Sequence, residues 1–224
     1  MLPYPRSGAA ASDGGSVVLP AMGISAKQAA DDVFDRAQAL LDEAPSVSSP
    51  LVADDLRRSA LALGVAALDT YLHWALAKAP LKKMPSALKN LDVPFGELVE
   101  LSEAMAASRT TIRPKVRVRH TLERVILAHT FQSSRGVGDA MQMLGTRKAF
   151  AKIETKINPA QKAQSIQDQL NRIVRRRNQV VHEGDMQRQS RPRRIAREPV
   201  DTAEVADDLT WLRGLVQAID EVLA

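Results

Sequence analysis

R-I-V-R-R-R-N-Q-V-V-H-E-G-D, Arg172 to Asp185, reads as the C-terminal half of a long amphipathic helix. Asn158-Pro159 places a capping residue before a proline, a pairing suited to a first helical position, so the helix is expected to open there. Gly184 is its expected end, because glycine takes the left-handed backbone just past a last turn. On a period of 3.6 residues, Ala163, Ile166, Leu170, Ile173, Val174, Val180 and Val181 fall on one apolar stripe. Arg177 interrupts it. A guanidinium is not buried cheaply without a partner, so either a carboxylate meets Arg177 in the core or the stripe runs out into a cleft. Asn178 and His182 are one turn apart on one side of the helix, and Arg175 lies a turn further back. Arg177 and His182 are roughly 140° apart about the axis. They flank an edge that another helix, or a second copy of this one, would close.

Outward from this helix, the chain patterns as helices throughout. Ser25 caps a first helix reaching Glu43, and a long one follows from Leu51 to Lys78. Shorter helices are expected over Ser86–Leu91, Pro94–Ala107 and Asp139–Leu144, with another ending near Ile157. Ser133–Gly138 is expected to be a break, its glycines serving a turn. Gly136-x-Gly138 lacks the strand and third glycine of a nucleotide-binding fingerprint. K-V-R-V-R-H, Lys115–His120, alternates like a strand but continues into a helical pattern. Lys115, Arg117, Arg119 and Arg124 form a second basic patch, read first as a solvated face. Met186–Arg197 is expected to be an exposed basic loop, and Asp201-x-x-Glu204 opens a last helix to Leu223.

The chain has 224 residues, 45% of them hydrophobic, ample for a helical core. Cysteine is absent, which removes disulfides, thiolate nucleophiles and cysteine-based zinc sites. Residues 1–24, rich in Gly, Ala, Ser and Pro, read as a flexible leader without a signal-peptide pattern. Residues 25–224 read as one all-α domain, an antiparallel bundle with short accessory helices. No segment is expected to reach the apolar length of a membrane span, and a cytoplasmic protein is the expectation.

R-N-Q-V-V-H, Arg177 to His182, matches the R-x4-H signature of the HEPN superfamily, including the polar residue after the arginine. L-G-V-A-A-L-D-T-Y-L-H (Leu63–His73), H-T-F-Q (His129–Gln132) and G-V-G-D-A-M-Q-M-L-G (Gly136–Gly145) resemble, in order, its RiboL-PSP-HEPN branch. The resemblance implies an all-helical domain that pairs with itself and brings two such motifs into a cleft. It also implies metal-independent RNA cleavage in the catalytic members, an activity other members have lost. The modification-silenced toxins of the superfamily carry a tyrosine two residues after the histidine; here that position is Gly184, so that control does not carry over.

Nine arginines between Arg172 and Arg197 face only Glu183 and Asp185. The crowding of cations repels itself, and a phosphate backbone would relieve it while releasing counterions. Arg172, Arg175, Arg176, Arg188, Arg191, Arg193 and Arg194 are therefore the candidate RNA contacts. Arg177, His182 and Asn178 are the candidate catalytic set, with no metal and no cofactor. Histidine titrates near neutrality and suits acid–base work, Arg177 suits charge developing on a phosphate, and Asn178 would orient His182 or hold the phosphate. Glu183 and Asp185, which could be mistaken for metal ligands, read as polar residues ending the helix. Asp69 and His73, one turn apart, read as a structural pair, the alternative being that Asp69 supports Arg177 across the core. His120 and His129 are weaker site candidates. RNA, a second copy of the chain and a possible inhibitory protein are the expected partners, with no membrane.

Overall fold

Three helix starts, at Ser25, Ser133 and Asp201, carry a short polar side chain that takes up an otherwise orphaned amide. Ser25 Oγ accepts from the Gln28 amide at 3.0 Å while Gln28 Oε1 accepts from the Ser25 amide at 2.8 Å. This reciprocal cap opens α1, Ala26–Glu43. The computed structural model describes residues 23–107, 114–187 and 195–224. Within them follow α2 (Pro50–Ala77), α3 (Ser86–Lys89), α4 (Phe95–Ala107), α5 (Pro114–Leu127), α6 (Ser134–Met143), α7 (Ala149–Ile153), α8 (Ala163–Glu183) and α9 (Thr202–Leu223). Among the described residues there is no strand; one isolated antiparallel bridge joins Met186 to Arg197. The fold is all-α, as expected.

α2 is the centre of the bundle: α1, α5, α6, α8 and α9 all pack on it. It therefore buries residues around most of its circumference, Ala60, Leu61, Gly64, Val65, Leu68, Tyr71 and Leu72 among them. Its approach to α9 is close, since a Cβ on Gly64 would lie 2.4 Å from Leu209 Cδ2. Tyr71, buried between these helices, donates to Asp220 at 2.8 Å. Burial, and then the Asp220 carboxylate, push its phenol far above the ordinary range. Against the sequence expectation, α2 is long and apolar enough to cross a membrane by length and composition, but half of that window is buried inside the bundle. Its apolarity is that of a helix with neighbours on most sides.

The larger boundary differences from the sequence reading are at α6, at α8 and at α7, which ends at Ile153 rather than near Ile157. α6 begins at Ser134, five residues before Asp139, with Ser133 Oγ accepting from the Gly136 amide at 3.1 Å. Gly136 is thus helical: a Cβ there would meet the Phe131 and Thr130 backbone at 2.9 Å, so its glycine permits close packing, not a turn. α8 begins at Ala163, not at Pro159. Glu154 supplies the missing cap, accepting from the Ala163 amide at 3.0 Å. The segment Lys115–His120 is helical within α5. Residues 1–22 of the expected leader, and Arg188, Arg191, Arg193 and Arg194, lie outside the described residues.

Candidate active site

α8 runs antiparallel to α2. Asn171 binds the start of α6, which adjoins the Phe131 segment held by Asp69, whereas the end of α8 reaches Arg58, about three turns before Asp69 on α2. The apolar stripe of α8 is buried at Ile166, Leu170, Ile173 and Val174. Beyond them burial ceases: Arg177 and Val180 are half-buried, and Val181 is 50% exposed. Among the described residues no carboxylate meets Arg177, so the first of the two sequence alternatives is not observed. Its Nε is buried with no hydrogen-bond partner, while its Nη1 donates to Asn178 Oδ1 at 3.1 Å. Asn178 therefore holds Arg177. His182 is exposed on the last turn, where the helix dipole favours a cation. Gly184 ends the helix in the left-handed conformation at φ 60°, as its sequence position suggests.

Asp185 is the residue the sequence reading undervalued. It also has a positive φ, 58°, a conformation aspartate tolerates better than most side chains. It is only 1% exposed. Arg58 Nε donates to its Oδ2 at 2.7 Å, and Arg176 grips it with both terminal nitrogens, Nη2 at 2.9 Å from Oδ2. The same two arginines bind the following segment: Arg58 Nη2 donates to the Glu198 carbonyl at 2.9 Å, and Arg176 Nη2 to the Pro199 carbonyl at 3.0 Å. A buried carboxylate between two guanidiniums, each with further acceptors, has the dense hydrogen bonding that a buried charge requires. It ties together the end of α8, the start of α2 and the chain leading to α9. Its sequence signal is an acidic residue directly after the capping glycine of an arginine-rich helix, with Arg58 standing among the apolar positions of α2.

The arginines of α8 thus divide. Arg172 pairs with Asp208 at 2.5 Å and Glu204 at 3.3 Å, and Arg176 with Asp185. For these two, the crowding that the sequence assigns to a phosphate is relieved from within. Asp208 is 3% exposed, and burial raises its carboxyl above the ordinary range; the Arg172 hydrogen bond and charge pull it down but do not win. Arg175 and Arg177 make no ion pair among the described residues. The α5 patch divides similarly. Arg119 caps the end of α2 through the Ala77 and Ala79 carbonyls, and Arg124 pairs with Glu97 at 2.6 Å and Glu100 at 2.7 Å. Arg119 is thus taken up by a helix end, whereas Arg124 stays half-exposed, as the solvated-face reading expects.

The Asp69–His73 pair is structural. Asp69 accepts from the Phe131 amide at 2.7 Å and the Gln132 amide nitrogen at 3.0 Å, so it does not reach Arg177. His73 faces the Asp69 carbonyl on one side and the Ile126 and His129 carbonyls on the other. His129 stacks on Phe131, and His120 lies 3.4 Å from Glu123; neither joins α8. Among the described residues, no group of three His, Asp or Glu is arranged to hold a metal ion.

The model of the RiboL-PSP-HEPN family matches residues 31–224, a span that runs from α1 to the end of α9 and includes the whole of α8. No curated protein and no solved structure matches the chain.

Proposed function

This chain belongs to the RiboL-PSP-HEPN family, and we propose that it is an endoribonuclease that needs no metal and works at the end of α8. The observation that carries this reading is Arg177: a guanidinium with a buried, unpartnered Nε, braced by Asn178, on the same helix end as an exposed His182. Its neighbours Arg172 and Arg176 are neutralised by carboxylates, so Arg177 and Arg175 are the α8 cations left for an outside anion.

In the proposed reaction His182 takes the proton of a ribose 2′-hydroxyl, and the 2′-oxygen attacks the adjacent phosphorus. Arg177 stabilises the charge gathering on the non-bridging oxygens. The bond from phosphorus to the 5′-oxygen breaks, and the proton returns to that oxygen. The products are a 2′,3′-cyclic phosphate and a 5′-hydroxyl, so DNA, lacking the nucleophile, is not a substrate. Asp185 acts as a positioning residue, fixing the backbone three residues after His182. The working form is a homodimer whose two α8 ends share a cleft, in the cytoplasm, within a toxin–antitoxin, defence or stress setting and checked by an inhibitory protein.

The test is incubation of purified protein with single-stranded and structured RNA in EDTA, beside Arg177→Ala and His182→Ala. Cleavage by the unsubstituted protein alone, leaving cyclic-phosphate ends, supports the reading; cleavage that survives both substitutions refutes the site. A second reading, a non-catalytic RNA-binding module, is favoured by one observation: no hydrogen bond among the described residues orients the His182 ring. Tight binding by folded protein without any cleavage would select it.

A further inference from the structure

Between α6, α7 and the start of α8 lies an open cavity of about 720 Å³. That volume is within the usual range of small-molecule sites, roughly 300–1,000 Å³. Arg135, Arg147 and Lys148 line it, against one carboxylate, Asp139. Arg135 is 92% exposed and meets Asp139 only at 3.9 Å, a distance at which a solvated pair contributes little. Arg147 and Lys148 make no ion pair among the described residues. These cations therefore differ from Arg172, Arg176, Arg119 and Arg124, each of which is committed to a carboxylate or a helix end. The cavity wall also carries the half-buried ring of Phe150 and the side chain of Gln167. Exposed cations together with an aromatic and an amide side chain in the lining are the residue types that hold an unstacked base and its flanking phosphates.

Gln167 also places the cavity relative to the site. His182 lies about 22 Å further along α8, at 1.5 Å per residue, and roughly 60° around the axis from Gln167. Arg175, exposed, falls between them on the same side of the helix. A strand leaving the cavity along this side passes Arg175 before it reaches His182.

We propose that this cavity is a second RNA-binding site that seats an unpaired nucleotide away from the point of cleavage, with its phosphates on Arg135, Arg147 and Lys148. The proposal rests on the RNA reading above and is separable from it. The experiment compares the intact chain with the triple variant Arg135→Gln, Arg147→Gln, Lys148→Gln. It measures binding of a fluorescent single-stranded oligoribonucleotide and of a duplex of the same length across a salt series. The expected result is at least tenfold weaker single-strand binding by the variant. Three lost phosphate contacts should also flatten its salt slope by about 2, at roughly 0.7 per contact for a single strand. Duplex binding and the cleavage rate at saturating RNA should change less than twofold. RNA should also protect Lys148 from amine acetylation in the unsubstituted protein, a readout that needs no variant. Single-strand affinity and slope equal in the two proteins, or Lys148 equally modified with and without RNA, would overturn this site while leaving the end of α8 in place. Equal losses for single strand and duplex would overturn the unpaired nucleotide. Failure of the unsubstituted, folded protein to bind any RNA would remove the functional reading itself.

Discussion

Two pairs of arginines share the second half of α8, Arg172 with Arg176 and Arg175 with Arg177, and the bundle treats them differently. The first pair points at carboxylates presented by the chain itself, Asp208 with Glu204 for one and Asp185 for the other. Of the second pair, Arg175 is exposed and Arg177 sits where the buried stripe gives out. One helix thus places the same side chain in two surroundings, and partners rather than residue type distinguish them. A guanidinium answered by a buried carboxylate adds fixed geometry to the bundle. One left unanswered keeps its charge available for a phosphate.

The sharpest way to test that division is at the unanswered end. His182→Ala and Arg177→Ala are each expected to lower RNA cleavage about 10²–10⁴-fold, the range for a lost acid–base or charge-stabilising group. The melting temperature of His182→Ala should stay close to that of the unsubstituted protein. A large loss of stability in that variant would put His182 on the structural side.

Asp185→Ala tests the answered end. It leaves Arg58 and Arg176 charged beside an empty, buried position, and breaking such a cluster costs about 3–5 kcal/mol. Chemical denaturation should show that loss, and cleavage should fall with it because the end of α8 is no longer held. A variant as stable as the parent would mean that the arginines find other acceptors.

Arg172 is less buried than Arg176, 45% against 20% by side-chain exposure. Arg172→Ala should therefore cost on the order of 1 kcal/mol after solvent screening. The same pair gives a pH signature. Because burial raises the Asp208 carboxyl, the folded chain keeps that proton where the unfolded chain has lost it. Its contribution to stability consequently falls as pH rises from the ordinary carboxylate range through the raised value. Removing Arg172 deletes the opposing influence, so the decline between acidic and neutral pH should steepen in the variant. Parallel stability curves would contradict this.

Smaller effects follow at exposed positions. Arg175→Ala should leave stability unchanged and reduce the salt slope of RNA binding by about 0.7, the value of one single-strand phosphate contact. Glu154→Gln should act only on folding. The Ala163 amide and then Lys162 hold the Glu154 carboxyl below its ordinary range, so its contribution is present above that range and lost as pH falls through the lowered value. The substitution should flatten stability on the acidic side, as a denaturation series across that range would show.

Much of this is legible in the sequence because it is local. The period of α8, the glycine at its end, the Ser25 and Asp201 caps and the Arg177–His182 spacing all depend on neighbours within a turn or so. The departures come from distant partners. Nothing near Gly136 announces that the Thr130–Phe131 backbone will press against it, so its surroundings read as a turn although they are helical. Nothing near Arg172 announces Asp208. Asp185 reads as a solvated helix end because Arg58, which buries it, comes from the other long central helix. α2 buries residues around most of its circumference for the same reason: a single stripe suits a helix with one neighbour, and α2 has several.

The Arg58–Asp185 hydrogen bond spans 127 residues of sequence. During synthesis, at roughly 5–20 residues per second, Arg58 leaves the ribosome on the order of ten seconds before its carboxylate. Through that interval α1 and α2 are free to pair, but the end of α8 has neither its anchor nor α9 behind it. A growing chain therefore leaves the end of α8 untied from α2 until Asp185 has emerged, and Arg172 unanswered until Asp208 follows on α9. The order of elements along the chain sets the order in which these charges are neutralised.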